Sequence, residues 1–187
     1  MEGVEAEGAP ARYRLLVFAP DIAELVTVAG GWLFDRAMAG WDVTGLVAEG
    51  SDVRPLRILG VGTAILESVL SMDTPANLPS AISIAGHHYS SDPRIRELIR
   101  RIADGGAAEL TVWGEACPAD LKAILLPVCY EPTSAARVFK KHALVAAGCF
   151  DRTVDGNESF RCGVTALKRI DSTEYLIAVQ PQTDETP

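Results

Sequence analysis

Short apolar runs alternate with amphipathic stretches along most of this chain, and that alternation sets its architecture. Residues 13–19 are apolar on both faces, as a central parallel strand covered by helices requires. Asp21 opens a helical pattern that closes at Gly40, with Ile22, Leu25, Val26, Ala29 and Leu33 recurring on one face. Asp21 is placed to cap that helix, and Glu24 three residues on completes an aspartate version of the capping box. Residues 42–48 form a second apolar run, so residues 12–49 read as strand, helix, strand. Residues 80–85 and 109–113 predict two more strands. Residues 123–128 predict another, which Pro127 ends or confines to an edge. Asp92-Pro93 starts an amphipathic helix whose buried stripe is Ile95, Leu98, Ile99 and Ile102. Thr133 or Ser134 caps a helix running to residue 147.

Two stretches depart from this rhythm. In residues 51–72, Pro55 fits the first turn of a helix capped by Ser51 or Asp52, while Leu56 to Leu59 reads alternatively as a short strand running into Gly60-Val61-Gly62-Thr63. At the end, residues 160–167 and 175–179 are strand-like and are joined by Asp171-Ser172-Thr173, with Asp155-Gly156 as a hairpin turn before them. The expected fold is therefore a three-layer α/β sandwich with a mostly parallel sheet, Rossmann-like or flavodoxin-like, with a C-terminal antiparallel hairpin or meander at the edge. Residues 12–180 make a single domain, with 150–180 as the hairpin extension and 1–11 and 181–187 as tails.

The first helix carries more apolar surface than one sheet face needs, because Val28, Trp32, Phe34 and Met38 spread beyond its stripe. Cover by the C-terminal part of the chain explains this, and so does a homodimer interface at Trp32, Phe34 and Met38. Gly30-Gly31 within the helix costs roughly 1 kcal/mol per glycine, which implies close packing against a neighbouring backbone.

Composition narrows the function classes. A chain of 187 residues with 48% hydrophobic and 22% charged residues buries a sizeable core. The net charge of −8 and pI near 4.9 argue against whole-molecule attraction to nucleic acid or anionic membrane. The positive charge is mostly arginine, which points to a GC-rich bacterial source. No stretch reaches the roughly 18–20 apolar residues of a membrane span, and the acidic N-terminus lacks the parts of a signal peptide, so a cytoplasmic protein is expected. Cys117, Cys129, Cys149 and Cys162 are then reduced thiols, and their spacing offers no structural zinc site.

In open α/β sheets, ligands bind beyond the carboxyl ends of the strands. That edge collects Asp21, Glu49 and Asp52, His87 and His88, Glu115 and Cys117, and Tyr130 with Glu131. The adjacent His87 and His88 are the sharpest pair, as a general base or a metal ligand. Adjacent residues usually point to different sides, so one of the two at most is expected to face a given site. Asp21 or Glu115 is the partner carboxylate. Glu115 beside Cys117 discourages a thiolate there. His142 falls on the apolar face of its helix and reads as a core residue. The arginines at 94, 96, 100 and 101, and separately Arg137, Lys140 and Lys141, read as solvated basic faces.

Gly60, Gly62 and Thr63 resemble the start of a dinucleotide fingerprint only if Leu56 to Leu59 is a strand, and Ile65 occupies the third glycine position. The first turn, Ala19-Pro20-Asp21, has no glycine to cradle a phosphate, and G-x-x-x-x-G-K-[ST] and G-x-S-x-G are both absent. No cofactor is identified. With no intact catalytic motif, the leading expectation is a non-catalytic, self-associating domain that binds a protein partner or small ligand. The alternative is a small transferase or hydrolase using His87 or His88 at the carboxyl edge.

Overall fold

The chain, seen as a computed structural model that describes residues 12–72, 78–105, 108–114, 117–154, 156–164 and 177–178, begins with β1 (Arg14–Phe18), α1 (Ile22–Met38) and β2 (Asp42–Val47). There follow α2 (Arg54–Ile58), β3 (Gly62–Ile65), α3 (Leu66–Leu70), β4 (Ala81–Ala85), α4 (Gly86–Ser91) and α5 (Pro93–Gly105). Then come β5 (Glu109–Trp113), α6 (Ala119–Lys122), β6 (Leu126–Tyr130), α7 (Ser134–Ala146), β7 (Glu158–Val164) and β8 (Ile177–Ala178). The strands lie in one sheet in the order β3-β2-β1-β4-β5-β7-β6-β8. β3 through β5 in that order are all parallel, whereas β7 is antiparallel to both its neighbours and β8 is antiparallel to β6.

Every residue of β4 and β5 is buried, which follows from their apolar runs being covered on both sides. One cluster joins α1, α2 and α7 to one face of the sheet through Leu25, Ala29, Leu33, Leu56 and Leu144. The other joins α5 to the opposite face through Ile95, Leu98, Ile99 and Ile102, all of them in the stripe read from the sequence. The expected α/β layering is present, with a mostly parallel sheet and antiparallel strands at its C-terminal end. Those last strands differ in placement. β7 does not extend an edge but fills the position between β5 and β6, and β8 pairs with β6 rather than with β7. The proposed turn residue Asp155 and residues 1–11 and 181–187 lie outside the described residues.

The ambiguous stretch resolves against the nucleotide reading. Leu56 belongs to α2 and Leu59 caps it, so no strand precedes the glycines. Gly60 turns the chain at a φ of 74°, and Gly62 and Thr63 begin β3 instead of a helix. The pair therefore opens a strand, at the amino end of the sheet, where the geometry of a strand-to-helix phosphate turn is missing.

The breadth of α1 has its explanation within the chain. Trp32 and Phe34 are buried, with Trp32 packed on Phe160 of β7 and Phe34 stacked on Phe139 of α7 at 4.5 Å. They offer no surface to a second copy, and of the three residues assigned to an interface Met38 is the exposed one. Gly30 and Gly31 admit side chains rather than backbone. A Cβ on Gly30 would stand 3.2 Å from Lys140, and one on Gly31 would stand 2.7 Å from Pro132. Through this gap the Glu158 carboxylate accepts from the Gly31 and Trp32 N–H groups at 2.8 and 2.7 Å and from Lys140 Nζ at 2.6 Å. Lys140, expected on a solvated face, is 2% exposed. Burial pushes the Glu158 carboxyl up from its usual range, opposed by Lys140 and the two N–H donors.

Candidate functional site

Strand order reverses between β1 and β4, which leave the sheet side by side and continue in opposite lateral directions. A crevice opens at such a point, beyond the carboxyl ends of the two strands. Two short segments furnish it. After β1 the chain turns at Asp21, extended at φ −112° and ψ 103°, whose carboxylate accepts the Glu24 N–H at 3.0 Å and caps α1. After β4 the chain enters α4 directly through Gly86, so His87 and His88 stand in its first turn.

Glu24 does not use its carboxylate to complete the capping box. Its Oε2 lies 3.5 Å from His87 Nε2, across the crevice. The His87 and His88 rings are 4.0 Å apart between centroids and inclined by 43°. One donor atom from each of Glu24, His87 and His88 falls within 4.8 Å of the others. His87 lines the cleft in front of this cluster and His88 does not, while one donor atom of each still meets Glu24. In a strand, neighbours diverge by 180°, but in a helical turn by about 100°, which lets both rings lean the same way. His88 Nε2 is buried without a hydrogen-bond partner among the described residues. Burial, helped by His87 and opposed by Asp21, holds the His88 imidazole below its usual pKa and therefore neutral near pH 7.

In front of these groups lies a cleft of about 600 Å³, lined by Asp21, Glu24, Thr27 and His87, with Cys149 and Arg152 from the segment after α7. The site is thus acidic and imidazole-rich, with one guanidinium on its wall. Such a set can accept a proton, orient a water molecule or bind a cation; it lacks the glycine-rich turn needed for a pyrophosphate.

The other residues gathered by topology go elsewhere. Glu115 lies outside the described residues. Cys117 lines a separate recess with Pro127 and Arg161. Asp52 pairs with Arg54, and Glu131 pairs with Arg137. Tyr130 donates to Asp35 of α1 at 2.6 Å and so holds the helix in place. His142, expected in the core, is exposed. Four of these cleft residues were not singled out as site candidates from the sequence: Glu24, for which capping was a sufficient explanation, Thr27 on the same helix, and Cys149 and Arg152, which lie in the segment between α7 and β7.

No family model and no curated protein matches the sequence. The fold, however, matches solved structures of an enzyme class, the deacetylases. The A40926 pseudoaglycone deacetylase Dbv21 superposes with a TM-score of 0.53 at 15% identity, covering 82% of this chain and 98% of that one. The zinc-inhibited form of teicoplanin deacetylase Orf2 superposes at 0.54 and 11% identity over 80% of this chain and 97% of that one. A complex of the teicoplanin-pathway deacetylase gives 0.54 at 12% identity over 81% and 98%. At these identities the likeness is one of fold. The proteins in those matched structures are nevertheless enzymes, named as deacetylases. This overturns the expectation of a non-catalytic partner- or ligand-binding domain and turns attention to the alternative, a site at the carboxyl edge.

Proposed function

We propose that this protein is a hydrolase that cleaves a small acyl group from an amine or hydroxyl, in the crevice between β1 and β4. The observation that carries the reading is the convergence of Asp21, Glu24 and His87 on one cleft at the strand-order reversal, with a donor atom of His88 grouped beside those of Glu24 and His87. Support also comes from the deacetylase architecture of the solved structures. In this reading water adds to the acyl carbonyl and gives its proton to Asp21. The carbon–nitrogen or carbon–oxygen bond then breaks, and the leaving amine or alcohol takes that proton, so that a carboxylic acid and the free amine or alcohol are released. Glu24 and the His87 imidazole line the cleft where the attacking water stands, and the His88 ring packs beside His87. Arg152 on the cleft wall is suited to an anionic group on the substrate.

No helix among the described residues is long and apolar enough to cross a membrane. Four free cysteines suit a reducing, cytoplasmic setting, which completes the proposal.

The test is release of acetate from a panel of N-acetylated amino sugars, N-acetylated peptides and aryl acetates. Turnover of at least one is expected, with Asp21→Asn lowering kcat/KM by about 10²–10⁴-fold, the range of general base catalysis. Turnover that Asp21→Asn and His88→Gln both leave intact would refute the assignment.

A further inference from the structure

We infer that Glu24, His87 and His88 bind one divalent transition-metal ion of the zinc class. Its chemical role rests on the hydrolase reading above, but its binding does not. The arrangement has the parts of a catalytic metal site: two imidazoles and one carboxylate as ligands, with a side open to the cleft for a fourth. A tetrahedral ion with ligand bonds of about 2.1 Å separates its donors by roughly 3.4 Å. The Glu24–His87 pair stands at 3.5 Å, so those two are already set. The third donor lies no farther than 4.8 Å from either, which asks a ring movement of at most roughly 1.4 Å.

The surroundings favour a cation over the bare side chains. The two imidazole rings stand 4.0 Å apart between centroids, and His88 Nε2 is buried with no hydrogen-bond partner among the described residues. A metal ion would draw both rings onto one centre and balance the charges of Glu24 and Asp21. Two nitrogen ligands select against calcium and magnesium, which prefer oxygen, and in favour of zinc, cobalt, nickel, copper or iron(II). The spacing of the three residues in the sequence gives no sign of the site: Glu24 lies on α1 and the histidines on α4, and only the adjacency of β1 and β4 unites them. With the imidazoles and Glu24 committed to the ion, Asp21 is left as the proton acceptor. The ion would supply acidity to a bound water.

The experiment uses the full chain, stripped with a chelator and then titrated calorimetrically with Zn²⁺, with Co²⁺ absorption as an independent readout. The expected result is one Zn²⁺ per chain and a Co²⁺ spectrum of low-symmetry nitrogen and oxygen coordination, without sulfur-to-metal charge transfer. Glu24→Gln, His87→Gln and His88→Gln should each weaken binding by more than the roughly 10–100-fold that loss of an outer-shell partner causes. His142→Gln should leave it unchanged. The wild-type spectrum keeps the test valid even where a variant fails to fold. Absence of binding, a sulfur charge-transfer band, or affinity indifferent to both histidine substitutions would overturn the assignment. Zn²⁺ bound with no acyl hydrolysis supports the metal site and removes the hydrolase reading. Turnover by a stripped chain that binds no Zn²⁺ does the reverse.

Discussion

Glu158 is the residue whose alteration tests the fold most sharply. Glu158→Gln keeps the side-chain volume and leaves one oxygen to accept from the N–H groups of Gly31 or Trp32, but it removes the negative charge beside Lys140. The ammonium, 2% exposed, is then buried without a counter-charge. Breaking such a pair by removing one partner costs about 3–5 kcal/mol. For a chain of this size that loss corresponds to a fall in Tm of roughly 6–20 °C. Lys140→Met should cost less. Glu158 keeps two backbone donors, and its carboxyl, already held high by burial, can take a proton. In that variant the folded chain binds more protons than the unfolded one, so stability is greatest below the ordinary Glu pKa and is lost as pH rises through the window above it. Urea unfolding at pH 5 and 7 of both single variants and the double variant checks this. Adding Lys140→Met to Glu158→Gln should recover about 2 kcal/mol. A loss below about 1 kcal/mol for Glu158→Gln, or a double variant no more stable than it, would refute the reasoning.

Two further outcomes follow from the same packing. Gly31→Ala puts a methyl group 2.7 Å from Pro132 and 3.0 Å from Glu158 Oε1, and should cost about 1–3 kcal/mol; an unchanged unfolding midpoint would show that the gap is loose. The Cys162 thiol is pushed well above the ordinary thiol range by burial and then by Glu109, whose Oε1 is 3.1 Å away. Alkylation of the native protein, followed by mass spectrometry, should label Cys149 in the cleft well before Cys162, an order that equal rates would contradict.

Much of this arrangement is legible in the residues themselves. The strand–helix–strand unit, the Asp21 cap and the stripe from Ile95 to Ile102 follow from periodicity and capping chemistry, and both are local. The expected collection of carboxyl-edge residues came from topology, and the structure narrows it to those flanking one strand-order reversal. What was not legible depends on long-range pairing. No local pattern reports that the Glu24 carboxylate turns to His87, or that Lys140, in a run of basic residues, ends in the core. Both need a partner more than fifteen positions away. The glycine pair misled for the complementary reason. Gly60 and Gly62 look alike in any motif, and whether the preceding residues are strand or helix is decided by packing of α2 against α7.

The interior position of β7 has a consequence for synthesis. β5 and β6 do not pair with each other; each is hydrogen-bonded to β7, whose residues are made after both. Until residues 158–164 emerge from the ribosome, the nascent chain carries two raw strand edges and a lysine on α7 with no carboxylate to meet. Exposed edges of that kind recruit strands from other chains. Premature termination anywhere between α7 and β7 should therefore yield aggregate rather than a shortened but folded protein, whereas a chain extended past residue 164 closes both edges in a single step.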